Sequence, residues 1–251
     1  MNKIYLTVVI PSFNEMTNLR KGVLDKIERF LDSQKYEYEV IVVDDGSTDG
    51  SIEFVQKFIK ENKSFRLIAN PHLGKAGAVT TGMLAAEGEY VLFSDMDQAT
   101  PIEELKNLLP FFSKGFDIVI GSRNSSRKGA PWSRALMAKG MILTRSIIVG
   151  LPGISDTQCG FKIFTQEAAK EIFSKMEKIH QGFKKIKGSS VSAGFDVEFL
   201  FLAGKLGYKI KEVPVEWLYV ETRRVSPIKD SIDAVVDLIK IKLNSFSGKY
   251  Q

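Results

Sequence analysis

The sequence predicts an α/β fold, a mostly parallel central sheet with helices on both faces. Three observations carry this expectation. Short, β-branched apolar runs alternate with segments of helical period through the first 125 residues. Strand and helix in strict succession build a parallel sheet that helices must cover on both sides. Each of the first five strands also runs into a polar segment, glycine-bearing after the second, third and fifth, and in such sheets the ligand sits beyond the carboxyl ends of the strands.

YLTVVIP (5–11) reads as a buried strand, and 15–32 as a helix with Leu19, Val23, Ile27, Phe30 and Leu31 at helical spacing. YEVIVVDD (38–45) is the second strand, followed by a helix over 50–61 with Ile52, Val55 and Ile59 on one side. FRLIAN (65–70) and EYVLFSD (89–95) are strands on either side of a helix over 75–87. Pro101, at a favoured first-turn position, opens a helix over 101–112, and FDIVIGSR (116–123) is the fifth strand.

The regular alternation then stops. DTQCGFKIF (156–164) reads as a turn leading into a strand, 166–176 as a helix, 181–194 as a polar loop, 195–207 as a helix and 208–220 as strand-like. A last helix over 228–243 carries Ile228, Ile232, Val235, Val236, Ile239 and Leu243 on one broad face. The length, 251 residues, suits a single domain in two halves, 1–125 and 126–251.

Composition narrows the function. A net charge of +5, from 35 basic and 30 acidic residues, permits anionic ligands or an anionic membrane surface and makes no demand for nucleic acid. One cysteine, Cys159, excludes an internal disulfide framework and a zinc cluster, and the two histidines lie far apart in sequence. A reducing, cytoplasmic setting follows, with no signal-peptide layout. No stretch reaches the roughly 18–20 apolar residues that span a bilayer. The nearest, 141–154, is broken by Arg145 and Pro152. Residues 135–154 set large apolar side chains, from Leu136 and Met137 to Val149 and Leu151, beside Lys139 and Arg145, which suits either a helix lying in a membrane interface or a buried core helix.

Asp95 and Asp97 close the fourth strand, in VLFSDMDQATP (91–101). Neighbouring carboxylates at a strand end repel unless a cation or hydrogen-bond donors stabilise them. Mg²⁺ or Mn²⁺ fits all-oxygen ligation, with phosphate oxygens and water completing the shell, and a simple turn is the alternative. DDGSTDGS (44–51) offers a carboxylate, Asp44, for a ribose hydroxyl or base NH, a permissive Gly46, and Ser47, Thr48 or Asp49 as a helix cap. LGKAGAV (73–79) opens a helix with Gly74 and Lys75, groups suited to phosphate oxygens. The spacing is not a P-loop, and the first strand lacks the glycine fingerprint of a dinucleotide oxidoreductase.

VVIPSFNE (8–15), VIVVDDGSTDGS (40–51), GKAGAVTTGMLAA (74–86) and the DxD together resemble the family 2 glycosyltransferases with the GT-A nucleotide-sugar fold. The resemblance implies a nucleotide-sugar-binding half over 1–125. It places Pro11, Ser12, Asn14, Glu15, Asp44, Gly46, Ser47, Gly74, Lys75, Asp95 and Met96 around the nucleotide sugar, with Asp95 at the ribose or the metal and Asp97 on the metal. IVIGSR (118–123), WSRALMAKG (132–140), DTQCGFKIF, FDVEFLFLAGKLGYKIKEVPVEW (195–217) and RRVSPIKDS (223–231) resemble the polyprenyl-phosphate hexosyltransferases, most of all the dolichyl-phosphate β-glucosyltransferase type. This makes 126–251 the acceptor half and suggests that Arg223 and Arg224 close over the diphosphate. Gln98, where the glucosyl type usually has a small residue or glycine, matches a third metal ligand of some mannosyl relatives. The donor therefore stays open between UDP-glucose and GDP-mannose.

The acceptor implied is a polyprenyl or dolichyl phosphate, reached from the cytoplasmic face of a membrane by a peripheral enzyme. A phosphomonoester is already anionic near neutrality, with a second pKa of about 6, so it needs orienting cations more than a base. Arg123, Arg127, Arg134 and Lys139 are the candidate cations for that phosphate. Asp156 is the candidate for orienting the acceptor or the developing positive charge at the sugar, with Asp196 behind it. Other readings are transfer to a glycan hydroxyl, which calls for a well-placed base, and a non-catalytic nucleotide-sugar-binding module.

Overall fold

The structure is a computed structural model describing residues 3–123, 144, 146, 148–184, 193–218 and 227–250. Its strands are β1 (Leu6–Ser12), β2 (Tyr38–Asp44), β3 (Phe65–Ala69), β4 (Tyr90–Ser94), β5 (Ile118–Ser122), β6 (Phe161–Thr165) and β7 (Ile210–Pro214). They form one sheet in the order β3-β2-β1-β4-β6-β5-β7. β1 runs parallel to β2 and β4, β2 to β3, and β5 to β7, so the predicted mostly parallel sheet is present. β6 is inserted antiparallel between β4 and β5. The DTQCG turn before β6 therefore reaches the same sheet edge as the ends of β4 and β5.

Both faces of the strands are buried, which explains their near-continuous apolar runs. Val9, Ile41, Val43, Phe93, Ile120 and Phe164 share one core layer, whereas Val8, Ile10, Val40, Val42, Leu92 and Ile163 share the other. Helix α4 (Gly74–Ala85) packs against β1 closely enough that a Cβ on Gly82 would stand 2.2 Å from Val9 Cγ1.

Two predicted helices are interrupted. Residues 15–32 form α1 (Met16–Arg20) and α2 (Val23–Asp32), separated where Gly22 takes a left-handed φ of 75°. The 101–112 segment is a 3₁₀ turn (Ile102–Glu104), a short α5 (Leu105–Leu108) and a second 3₁₀ turn (Leu109–Lys114), with Pro110 removing an amide from the helical ladder. The remaining helices are α3 (Ser51–Glu61), α6 (Gln166–Ile179), α7 (Ala193–Lys205) and α8 (Pro227–Phe246), in the expected places. Of the 135–154 stretch, Val149, Leu151 and Ile154 are buried in the core, and most of the rest lies outside the described residues.

Candidate active site

The first two loops at the carboxyl edge are stitched together. Asn14 N donates to Ser47 Oγ (2.8 Å) and Thr48 N to Asn14 Oδ1 (2.8 Å). Glu15 N donates to Ser51 Oγ (3.0 Å) and Met16 N to Asp49 Oδ2 (3.0 Å). Asn14 carries φ 55°, a left-handed conformation that asparagine tolerates better than most side chains. Asp49, of the three residues suggested as a cap, accepts from Ser51 N at the start of α3. Pro11 is half-buried at the mouth of this edge, and the Ser12 hydroxyl is buried with no hydrogen-bond partner among the described residues.

The doubled acid after β2 divides its work. Asp44 folds its own turn, accepting from Gly46 N (3.0 Å) and Ser47 N (2.8 Å), with Gly46 at φ 84°. Asp45 reaches across to α4 and accepts from Leu73 N and Gly74 N, both at 2.7 Å. It also contacts His72 Nδ1 at 3.0 Å, and the His72 ring stacks on Phe13 at 4.4 Å. The Leu73 and Gly74 amides at the start of α4, which the sequence offers to phosphate, are thus already satisfied. What the motif presents to a ligand is Lys75.

Lys75 Nζ lies 2.7 Å from Asp95 Oδ1 and 5.3 Å from the centre of the Phe93 ring. Burial works against its charge, but Asp95, with Asp196 and Asp97 behind it, raises its pKa above the usual lysine value. Asp97 Oδ1 accepts from Ala99 N (3.0 Å). Burial pushes the Asp97 pKa up and Asp95 adds to this, against the pull of the Ala99 amide and Lys75. Glu15 is raised too, first by burial, then by Asp97, Asp95 and Asp49, against the hydrogen bond from Asn18. Negative charge is concentrated here. Gln98, at φ 49°, donates to Ser94 Oγ and to Asp95 O (2.9 Å each) and so braces the turn between the acids. Met96 is 2% exposed and packs in the core, so only its backbone stands near the cleft.

The DTQCG turn supports these acids from below. Asp95 N donates to Gly160 O (3.0 Å), and a Cβ on Gly160 would fall 1.7 Å from Asp95 Oδ2. Gly160→Ala is therefore expected to displace the Asp95 carboxylate and cut kcat/KM for the donor by roughly 10²-fold, the scale of a misplacement of about 1 Å. Steady-state kinetics checks this; wild-type kinetics in a folded variant would remove Gly160 from the site. Cys159 is buried with Sγ 3.6 Å from Thr100 Oγ1, and burial raises its thiol pKa, which suits packing and not nucleophilic attack.

Arg123 lines the same cleft as the acids and is fixed by Asp156. Nε–Oδ2 is 2.7 Å, Nη2–Oδ1 is 2.8 Å, and Arg123 N also donates to Asp156 Oδ2 (3.0 Å). Asp156 N in turn donates to Glu212 Oε1 (2.9 Å), and the guanidinium carbon lies 5.9 Å from the Trp217 ring centre. Burial alone would raise the Asp156 pKa, but its hydrogen bonds and charge contact with Arg123 bring it below the usual carboxylate value. The stability this supplies is present above the unfolded-state pKa of about 3.9 and is lost as pH falls through the lower folded value. Acid titration of Asp156→Asn should accordingly show a shallower loss of stability in that window than the wild type; identical slopes would contradict this.

Asp196 does not cap its helix. It pairs with Lys162 at 2.7 Å, inside the protein. Arg127, Arg134, Lys139, Arg223 and Arg224 lie outside the described residues. Asp95, Asp97, Thr100, Arg123, Gln158 and Trp217 line a cleft of about 540 Å³, open to solvent. Gln158, Gly160 and Trp217 are not legible as site residues in the sequence, since β6 and the β7 extension bring them here by long-range pairing, whereas Thr100 arrives with the acid loop itself. Leu218 N, donating to Ala99 O (2.7 Å), ties that extension to the acid loop.

Residues 7–173 match the family described as Glycosyl transferase family 2. A dolichyl-phosphate beta-glucosyltransferase of Dictyostelium discoideum is 32% identical, covering 99% of this chain and 77% of the relative. One from Trichomonas vaginalis is 36% identical over 96% of this chain and 73% of its own. Among solved structures, glucosyl-3-phosphoglycerate synthase from Mycobacterium tuberculosis in complex with UDP superposes with a TM-score of 0.63. At 17% identity, over 95% of this chain and 80% of that one, it speaks for the fold alone. From its GT-A-like sheet and from relatives matched nearly end to end, the chain belongs to glycosyltransferase family 2.

Proposed function

We propose that this enzyme moves a hexose, glucose from UDP-glucose, to the phosphate of a polyprenyl or dolichyl phosphate, with inversion at the anomeric carbon. The observation that carries the reading is that two charge sets line one cleft. Asp95 and Asp97 follow β4, and Arg123 is held at the end of β5. Relatives named as dolichyl-phosphate beta-glucosyltransferases support the choice of acceptor.

The chemistry balances without a protein base. The lipid phosphate attacks as an anion, one C1–O bond forms, the C1–O bond to the nucleotide breaks, and the nucleoside diphosphate leaves with the electron pair. Lys75 stands beside Asp95 to meet the diphosphate charge. Two of the five guanidinium N–H groups of Arg123 are held by Asp156, and those without a hydrogen-bond partner among the described residues are the ones to orient the acceptor phosphate. Asp156 acts through Arg123, setting its plane.

The residues at the β4 end fit a divalent cation only in part. Asp97 has no basic side chain at ion-pair distance among the described residues, and Asp95 shares one oxygen with Lys75. No cluster of three His, Cys, Asp or Glu side chains that could hold a metal occurs among the described residues. Asp95 and Asp97 would thus hold Mg²⁺ or Mn²⁺ jointly with donor phosphate oxygens, as hard cations prefer. When bound, the ion supplies positive charge to offset the departing diphosphate.

No helix among the described residues is long and apolar enough to cross a membrane. α8 nevertheless exposes an apolar stripe, Val236, Ile239, Leu243 and Phe246, the last two 61% and 78% exposed, next to Lys240 and Lys242. That surface suits contact with the bilayer from which the acceptor is drawn, with lysines at the headgroups. Flotation with anionic liposomes should carry the wild type and leave Leu243→Glu/Phe246→Glu behind; equal flotation would remove α8 from the membrane contact.

A donor panel of UDP-glucose, GDP-mannose and UDP-GlcNAc against a short polyprenyl phosphate tests the function. UDP-glucose should give the highest kcat/KM. Preferred turnover of GDP-mannose, the reading to which Gln98 lends weight, would correct the donor; turnover only with a glycan acceptor would overturn the acceptor.

A further inference from the structure

A lysine stands in the middle of the sheet, in no contact with the cleft described above. Lys162 pairs in register with Phe93 of β4 and Ile120 of β5 and is wholly buried. Its ammonium lies 5.5 Å from the ring centres of both Phe93 and Phe199. It donates to Cys159 O (2.5 Å) and to Asp196 Oδ1 (2.7 Å), and Asp196 is itself 7% exposed. Taking two charges out of water is costly, and packed apolar residues of similar volume often stabilise a core as well or better. Holding the sheet together is not reason enough for such a pair.

The contacts lead to the cleft in two ways. Lys162 grips the carbonyl of Cys159, and the next residue is Gly160, whose carbonyl accepts from Asp95 N and whose Cα lies against the Asp95 carboxylate. The Phe93 ring is also shared, with Lys75 5.3 Å from its centre and Lys162 5.5 Å. Asp196 is one of the acids that stabilise the charge on Lys75. The buried pair thus backs both members of the Lys75–Asp95 pair, one through the Cys159–Gly160 peptide and the other through charge.

We propose that Lys162, together with Asp196, is a positioning residue for the transfer: it holds the Cys159–Gly160 peptide against Asp95, so that Asp95 and Lys75 keep their places for the donor diphosphate. This rests on the reading of Asp95 and Lys75 as donor-binding groups.

The test is Lys162→Met/Asp196→Leu, which removes both charges at once and leaves neither stranded. Thermal unfolding and steady-state kinetics are measured with each substrate varied. With Tm close to wild type, donor KM should rise and kcat fall, together lowering kcat/KM for the donor roughly 10- to 100-fold, and acceptor KM should hold. Two results would overturn the proposal. One is a folded double variant with wild-type donor KM and kcat; the other is a lowered kcat with both KM values unchanged and a lowered Tm, the mark of a smaller folded fraction.

Should the double variant not fold, Asp196→Asn keeps the hydrogen bond to Lys162 and removes only charge. A raised donor KM then supports the proposal, and an unchanged one sinks it. Wild-type turnover with any donor of the panel upholds the underlying reading separately. Should the wild type turn over none, UDP and GDP affinities by calorimetry decide: weaker binding to the variant supports the positioning role, and equal binding removes it.

Discussion

Asp97→Ala is expected to lower kcat by roughly 10³-fold, the scale of losing a preorganised electrostatic group at a reacting centre, and to leave thermal stability equal or slightly raised. The two effects share one cause. Burial and Asp95 push the Asp97 pKa up, so a charge at this position burdens the folded state. Removing it also relieves Glu15, which feels the same acids. A group kept at such a cost is expected to serve a ligand. Differential scanning calorimetry and steady-state kinetics read both halves. Wild-type turnover should also vanish in EDTA and return with Mn²⁺ or Mg²⁺, whereas Asp97→Ala should stay inactive. A variant that loses stability along with activity would make Asp97 a structural acid.

Arg123→Ala is expected to do the reverse, destabilising the fold as well as the acceptor complex. The Arg123 and Asp156 side chains are 24% and 12% exposed, and truncating the arginine strands a carboxylate beside Glu212. Breaking a buried pair from one side costs about 3 kcal/mol, less where solvent still reaches it. Acceptor KM should rise roughly tenfold or more, since a charge-assisted bond to phosphate contributes about 1.5–3 kcal/mol, and donor KM should change little. Arg123→Met/Asp156→Asn separates the two effects: Tm should recover in part and acceptor affinity should not. An unchanged acceptor KM in either variant would take Arg123 out of the phosphate site.

Much of this arrangement is legible from residue order, and the exceptions have physical reasons. β1 to β5 and their helices follow from local period because each βα unit is closed by short-range contacts. The place of β6 does not follow, since inserting it antiparallel between β4 and β5 depends on pairings of residues 42 to 75 positions apart in the chain. That pairing is what turns DTQCGFK from a turn and strand into a support: Asp156 fixes Arg123, Gly160 seats Asp95, and Lys162 meets Asp196. Asp44 and Asp45 look alike in sequence, yet one folds its own turn and the other caps α4, a division made by a contact 29 residues away. Lys162 within FKIF is the one charge in an otherwise apolar strand, a visible signal whose meaning only the tertiary neighbours supply.

Transfer of a hexose from a nucleotide to a lipid phosphate in the cleft lined by Asp97 and Arg123 is tested most directly by mass spectrometry of the lipid product, after incubation of the wild type with UDP-glucose, Mn²⁺ and a short polyprenyl phosphate. A lipid phosphate heavier by one hexose, formed in step with UDP, is expected. UDP released with no hexosylated lipid would contradict transfer to the lipid.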